Sequence, residues 1–251
     1  MSKKKEIKVL LFSGGFDSIL QEWLLKPDVL LYVDMHTAYS QREIEALERL
    51  PKSYRDRLII KDLPLGEYER ENKYLPYRNL MLGTIGMEYG QHVYFGFNKF
   101  DDAPDKDNMF LFRLNELFRH LNRNCIGDMG WHNRHFGFYA PFKDLTKTEM
   151  VAACISKGMP VEIIQNTRSC YSSESKIGCG VCRVCFNRAV ALLNNGIYKD
   201  ELFDKPITDA NFEETYQLIR DFPANYPKDY IKEVKNAHQR LKGLRLRQAE
   251  K

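Results

Sequence analysis

Ile7-Lys8-Val9-Leu10-Leu11-Phe12-Ser13-Gly14-Gly15-Phe16-Asp17-Ser18 is the stretch on which the fold turns. Its first six residues are a short apolar run suited to a buried strand, and a polar turn then leads directly into a helical stretch. In a strand-turn-helix of this kind the turn amides and the positive end of the helix dipole converge on one point, so an anion should bind there. Gly14 and Gly15 let the backbone approach an oxyanion with no Cβ in the way, and Ser13 and Ser18 add hydroxyl donors. The loop lacks the lysine of a Walker loop and the spacing of a dinucleotide fingerprint, which removes both readings. An ordinary tight turn capped by serine is the remaining alternative.

Outward from this loop, apolar runs alternate with helical patterns. Residues 28–33, 58–60 and 92–97 continue the series of strands, and residues 136–140 are also strand-like. Helices are expected over 40–50, 78–89, 108–121, 146–157 and 184–194. Ser40 with Glu43, and Thr146 with Glu149, fit the capping box that satisfies open amides at a helix start. The pattern predicts an α/β fold, a doubly wound parallel sheet with a small cysteine-rich lobe behind it. Beyond Gly196, Pro206, Pro223 and Pro227 punctuate two more helices, and the chain ends in a basic run containing Arg240, Lys242, Arg245 and Arg247. The expected organisation is an ATP-binding α/β domain over 1–165, a zinc-binding lobe over 166–196 packed on it, and a helical C-terminal extension over 197–251.

The chain has 251 residues, 43% of them hydrophobic, which is enough for a substantial core. Its 38 basic and 34 acidic side chains leave a net charge of only +4, so the overall field does not announce a nucleic-acid partner. The terminal basic run could touch nucleic acid, but a solvated helix is the commoner explanation. Residues 7–12 are too short for a signal-peptide core or a membrane span, so a soluble cytoplasmic protein is expected.

Four of the six cysteines fall at Cys170, Cys179, Cys182 and Cys185, the pattern Cys-x8-Cys-x2-Cys-x2-Cys with Gly178 and Gly180 around the second ligand. Four thiolates and a turn are what a closed tetrahedral zinc site requires, and with no position left for water the metal would be structural. An iron-sulfur cluster is the chemical rival. Asp34, at the carboxyl end of the second strand, could meet an adenosine, or could simply end the strand. Lys147, in the first turn of a capped helix, could face a polyphosphate, or be solvated. Glu149 is better explained as a cap. The aromatic stretch 129–136 is more often used for packing than for stacking on a purine. His132 and His135 are a weak metal signal, and Cys125 and Cys154 are expected to be buried thiols.

Ser13-Gly14-Gly15-Phe16-Asp17-Ser18 after a leading strand resembles the pyrophosphate (PP) loop of the ATP pyrophosphatases, an adenine nucleotide alpha hydrolase-like fold. By that resemblance Ser13, Gly14, Gly15, Asp17 and Ser18 hold the phosphates to be released, with Asp17 near Mg2+. Thr167-Arg168-Ser169-Cys170-Tyr171 and Cys179-Gly180-Val181-Cys182-Arg183-Val184-Cys185, with Arg188 and Ala189 following, resemble the C-terminal signature of the 7-cyano-7-deazaguanine synthases. Tyr77-Arg78-Asn79, Asp101-Asp102-Ala103-Pro104-Asp105 and Leu145-Thr146-Lys147-Thr148-Glu149 match three further segments of that family.

The resemblance implies an ATP-dependent ligase using ATP, Mg2+ and Zn2+ in queuosine-type biosynthesis. It would convert 7-carboxy-7-deazaguanine and ammonia to the nitrile through an adenylated acid and an amide. Asp17 and Lys147 would serve catalysis, and Asp34 would join the loop in binding ATP. Arg78, Asn79, Asp101, Asp105, Ser169 and Tyr171 would line the base pocket. The partners implied are this small acid and ammonia, with no membrane, and a homodimer is compatible with the reading. The family glycine before Arg-Asn is Tyr77 here, its cysteine after Pro-Asp is Lys106, and its Tyr-Gly-Gln-Arg turn is replaced by Met35-His36-Thr37-Ala38. A ligase that stops at the amide or modifies another acceptor, a tRNA-modifying relative, and a non-enzymatic zinc module that binds nucleic acid are the alternatives.

Overall fold

The apolar runs assemble into one parallel sheet of five strands: β1 (Lys8–Leu11), β2 (Val29–Asp34), β3 (Leu58–Asp62), β4 (His92–Tyr94) and β5 (Gly137–Tyr139). The strand order is β3-β2-β1-β4-β5. Val9 pairs with Val29 on one side and Val93 on the other, which makes β1 the central strand. A computed structural model provides these coordinates, and it describes residues 6–71, 74–101, 103–122, 136–168, 170, 172, 175 and 177–249.

Ten helices connect and follow the described strands: α1 (Phe16–Leu25), α2 (Ser40–Glu48), α3 (Lys52–Arg55), α4 (Arg78–Gly86), α5 (Asn108–Asn122), α6 (Lys147–Ser156), α7 (Val161–Gln165), α8 (Arg183–Asn194), α9 (Asp209–Asp221) and α10 (Lys228–Ala249). The crossover from β2 to β3 runs one way along the sheet and that from β4 to β5 runs the other. With right-handed connections this reversal puts α2 and α5 on opposite faces, the doubly wound arrangement the sequence predicts.

The chain forms two compact units, Met1–Gly14 with Leu25–Asp144, and Gly15–Leu24 with Leu145–Lys251. In the first, Val9, Leu11, Leu31, Val93, Phe95, Leu114 and Phe138 belong to one buried apolar core. Removing each such side chain from water is worth about 1.5–3 kcal/mol. Helix α4 lies close to this core because Gly86 leaves room for Val93, whose Cγ1 would stand 2.7 Å from an added Cβ.

In the second unit, α8 buries Phe186, Ala189, Val190, Leu192 and Leu193, and α6 buries Met150, Val151 and Cys154. Helix α10 contributes Tyr230, Val234, Ala237 and Leu241, whose spacing makes one apolar stripe. The terminal helix is therefore not a solvated appendage throughout. Its apolar stripe packs on α8, while Arg240, Lys242 and Arg247 face water and Arg245 pairs with Asp200. No helix among the described residues is long and apolar enough to cross a membrane.

Of the two expected capping boxes one forms. Thr146 accepts from the Glu149 amide at 3.1 Å, and Glu149 accepts from the Thr146 amide at 2.8 Å. The box of Ser40 and Glu43 does not form: Tyr39 occupies the cap position and Ser40 Oγ accepts from the Thr37 amide at 2.9 Å. Glu43 turns inward instead, because the Tyr32 hydroxyl of β2 offers it a buried donor at 3.0 Å.

Candidate functional site

β1 runs into Ser13, Gly14 and Gly15, and α1 begins at the next residue. Gly14 has φ +71°, which favours glycine, and a Cβ on it would lie 2.9 Å from Leu47 Cδ2 and have to displace that side chain. The Ser18 hydroxyl and the Ile19 amide both donate to the Gly15 carbonyl at 3.0 Å, which folds the end of the loop onto the first turn of α1.

Asp17 and Lys147 lie far apart in sequence but in the same unit, each in the first turn of its helix. The Lys147 ammonium pairs with Asp17 Oδ2, and the two side chains are 22% and 30% exposed. Asp17 Oδ1 is enclosed and has no hydrogen-bond partner among the described residues. Thr146, the cap that positions Lys147, also donates to Glu233 at 2.5 Å.

In the other unit, Asp34 ends β2 beside Asp62 of β3. Asp34 Oδ1 accepts from the His36 amide at 2.9 Å, and His36 Nε2 lies 2.5 Å from Asp62, forming a largely exposed trio. The structure brings Asn79 and Asp105 together, since the Asn79 amide group donates to Asp105 Oδ2 at 2.9 Å and to its carbonyl at 3.2 Å. Asp101 is drawn into its own turn, accepting from the Asn98 amide at 3.2 Å and pairing with Lys106 at 3.4 Å. Arg78 Nη1 donates to the Tyr39 hydroxyl at 3.4 Å. Ser169 and Tyr171 lie outside the described residues, as do Cys125, His132 and His135.

Sequence reasoning missed a half-buried acid whose charge Arg78 influences, Glu43. Burial pushes the Glu43 carboxyl from 4.5 up to about 7, against the Tyr32 hydrogen bond and the Arg78 charge, which both pull it down. Tyr39 is raised by burial and opposed by the same arginine. The signal was present in the spacing: Tyr39, Glu43 and Leu47 fall on one helical stripe, and Leu47 is fully buried. An acid on an inward stripe needs a polar partner inside.

The four clustered cysteines meet. One sulfur from each of Cys170, Cys179, Cys182 and Cys185 lies within 4.8 Å of the others, and Cys179 and Cys185 sulfurs are 3.9 Å apart. A tetrahedral ion with bonds of about 2.3 Å spaces its thiolates about 3.8 Å apart, so a cage of this size is compatible with zinc. None of the described cysteines is in a disulfide. The amides of Ser172 and Cys179 both donate to Cys170 Sγ at 3.3 Å. Gly180 shapes the knuckle, since a Cβ there would fall 1.7 Å from the Lys205 carbonyl oxygen. The hydrogen bond with Cys182, then burial, pushes the Cys185 thiol far above its ordinary range. Deprotonating all four side by side would take a cation among them, and these residues could hold a metal ion. Cys154 stands apart, fully buried and donating to the Leu20 carbonyl at 3.4 Å, with its thiol pushed up by burial to about 12.

Residues 53–196 match the family described as queuosine biosynthesis protein QueC. The 7-cyano-7-deazaguanine synthase 1 of Colwellia psychrerythraea is 25% identical over 218 residues, which span 74% of this chain and 94% of that protein. The 7-cyano-7-deazaguanine synthase of Methanosphaerula palustris is 25% identical over 75% of this chain and 95% of its own length. That of Trichodesmium erythraeum is 26% identical, with 75% and 96% covered.

Proposed function

The chain belongs to the QueC family, and from that premise we propose that it is an ATP-dependent C–N ligase making 7-cyano-7-deazaguanine from 7-carboxy-7-deazaguanine and ammonia. The observation that carries this reading is Asp17: one carboxylate oxygen is held by Lys147 while the other is enclosed beside the double-glycine turn with no described partner. An orphaned carboxylate oxygen at a helix start is what a hard divalent cation accompanying polyphosphate takes as a ligand. Mg2+ bound there would neutralise charge developing on the departing pyrophosphate.

The chain's own groups then have distinct tasks. Ser13, Gly14, Gly15 and Ser18 supply donors to the phosphates, and Lys147 stabilises negative charge as the α-phosphorus is attacked by the substrate carboxylate. Ammonia displaces AMP from the mixed anhydride to give the amide. A second ATP activates the amide oxygen, and loss of that oxygen with AMP leaves the nitrile. Asp34 would face adenosine, and Arg78, Asn79, Asp101, Asp105, Ser169 and Tyr171 would line the base pocket. The paired Asn79 and Asp105 present an amide and a carboxylate suited to the donor edge of a guanine-like base. The cysteines would hold one structural Zn2+, which organises the fold around them and takes no part in the chemistry.

Incubation with ATP, Mg2+, ammonium and 7-carboxy-7-deazaguanine, with products resolved by mass, tests the proposal. Nitrile with two AMP per base is expected. Amide with one AMP would place the chain among ligases that stop half-way, and no AMP across acidic deazapurines would refute the reading.

A further inference from the structure

Arg188 is an unusual occupant of an interior. It lies one helical turn beyond Cys185 on α8 and is only 2% exposed. An arginine stays charged even when buried, and an unbalanced charge in such a place is severely destabilising. Its guanidinium donates through Nη2 to the Gln165 carbonyl at 2.5 Å and through Nη1 to the Ile177 carbonyl at 3.4 Å, and it covers the face of Phe203 at 5.0 Å. These contacts engage both Nη atoms without supplying a negative charge, and Nε is buried with no partner among the described residues. Among the described residues no carboxylate pairs with it, and the groups whose ionisation would offset its charge are the thiols of Cys185 and Cys170. A Cβ on Gly178 would lie 3.4 Å from Arg188 Nη1 and 3.4 Å from Cys185 Sγ, so guanidinium and sulfur flank the same point of the knuckle.

A divalent ion with four thiolates carries a net double negative charge, and a cation fixed beside the sulfurs lowers the cost of holding that charge away from water. We infer that Arg188 is the buried countercharge of the four-cysteine centre, a positioning residue whose charge sets metal affinity. Centre and arginine explain each other: metal-bound thiolates balance a cation that has no other described anion, and the cation stabilises a cage that would otherwise keep its protons. The inference rests on the reading that the cysteines hold a metal, so the test separates the two.

Full-length wild type, Arg188→Lys and Arg188→Gln are loaded with Zn2+, and affinity is measured by chelator competition. Co2+ absorption reports the geometry, and urea unfolding reports the fold. Lysine keeps the charge and loses the fork; glutamine keeps amide donors for the Gln165 and Ile177 carbonyls and loses the charge. Arg188→Gln should bind about 10–100-fold more weakly than wild type, with the tetrahedral thiolate spectrum recovered at saturating Co2+, and Arg188→Lys should lie much closer to wild type. Failure of Arg188→Gln to fold while Arg188→Lys binds normally supports the inference. Glutamine within about threefold of wild type, or lysine as impaired as glutamine, overturns it. A wild-type chain that binds neither ion overturns the metal reading beneath it.

Discussion

Replacing Glu43 with glutamine should stabilise this protein at alkaline pH and do little in acid. Glu43 lies on the inward face of α2, accepts from the Tyr32 hydroxyl at 3.0 Å, and has its carboxyl pushed from 4.5 to about 7, first of all by burial. A raised carboxyl pKa means that the folded state holds the proton more tightly than the unfolded chain does between those values. Stability from this group is therefore complete below about pH 4.5 and is lost as pH rises through about 7. Each tenfold difference in proton affinity is worth about 1.4 kcal/mol, so the loss reaches roughly 3 kcal/mol. Glutamine keeps an acceptor for Tyr32 and cannot ionise. The stability of Glu43→Gln relative to wild type should then rise by up to roughly 3 kcal/mol between about pH 5 and pH 8, read by urea unfolding. Any metal held by the four cysteines would be the same in both proteins, so its response to acid would cancel in the difference. A difference that is flat with pH, or that runs in wild type's favour as pH rises, would show that Glu43 is ionised in the fold and refute the reasoning.

Three further substitutions probe the remaining features. Asp17→Ala should fold with stability within about 1 kcal/mol of wild type, because Lys147 is partly exposed and keeps access to water. Its AMP formation should fall at least about 100-fold, and normal AMP yield would mean that the loop does not handle phosphate. Cys182→Ser, which breaks the cage at the residue capping α8, should lose stoichiometric Zn2+ by metal analysis and lose solubility. A stable metal-free form of that variant would remove the structural role. Gly180→Ala forces a Cβ onto the Lys205 carbonyl at a φ of +75° and should cost more than about 3 kcal/mol; an unchanged urea midpoint would contradict the packing described.

What the sequence made legible was contiguous. The double-glycine loop, the Thr146 cap and the cysteine spacing each place several groups within one or two turns of chain, where local geometry leaves little freedom. The five strands were legible because buried parallel strands are continuous apolar runs, and observed boundaries differ from those expected by no more than three residues. What was hidden depends on distant partners. Ser40 and Glu43 have the letters of a capping box, but Tyr32 from β2 draws Glu43 inward, and no window around residue 40 contains that donor. The pairing of Lys147 with Asp17 spans 130 positions, so its two ends were each readable and their meeting was not.

The departures from the family pattern divide by the same physics. Tyr77 stands where relatives of this type are expected to carry glycine, and it adopts φ +59° in the left-handed region at the start of α4. The backbone turn is thus retained at a cost of about 1–2 kcal/mol in strain, and the exposed ring needs no pocket of its own. Arg78 and Asn79 then start the helix as they would after glycine, so this change leaves the framework of the proposed base pocket intact. Lys106 is different in kind, because it adds a cation that pairs with Asp101 at 3.4 Å. With Asp101 paired and turned into its own loop, Asp105, already oriented by Asn79, is the better placed of the two carboxylates proposed to read the base. Any shift in substrate preference should therefore trace to Lys106 and the charge it cancels, and Lys106→Cys should move it towards the family pattern while Tyr77→Gly should not.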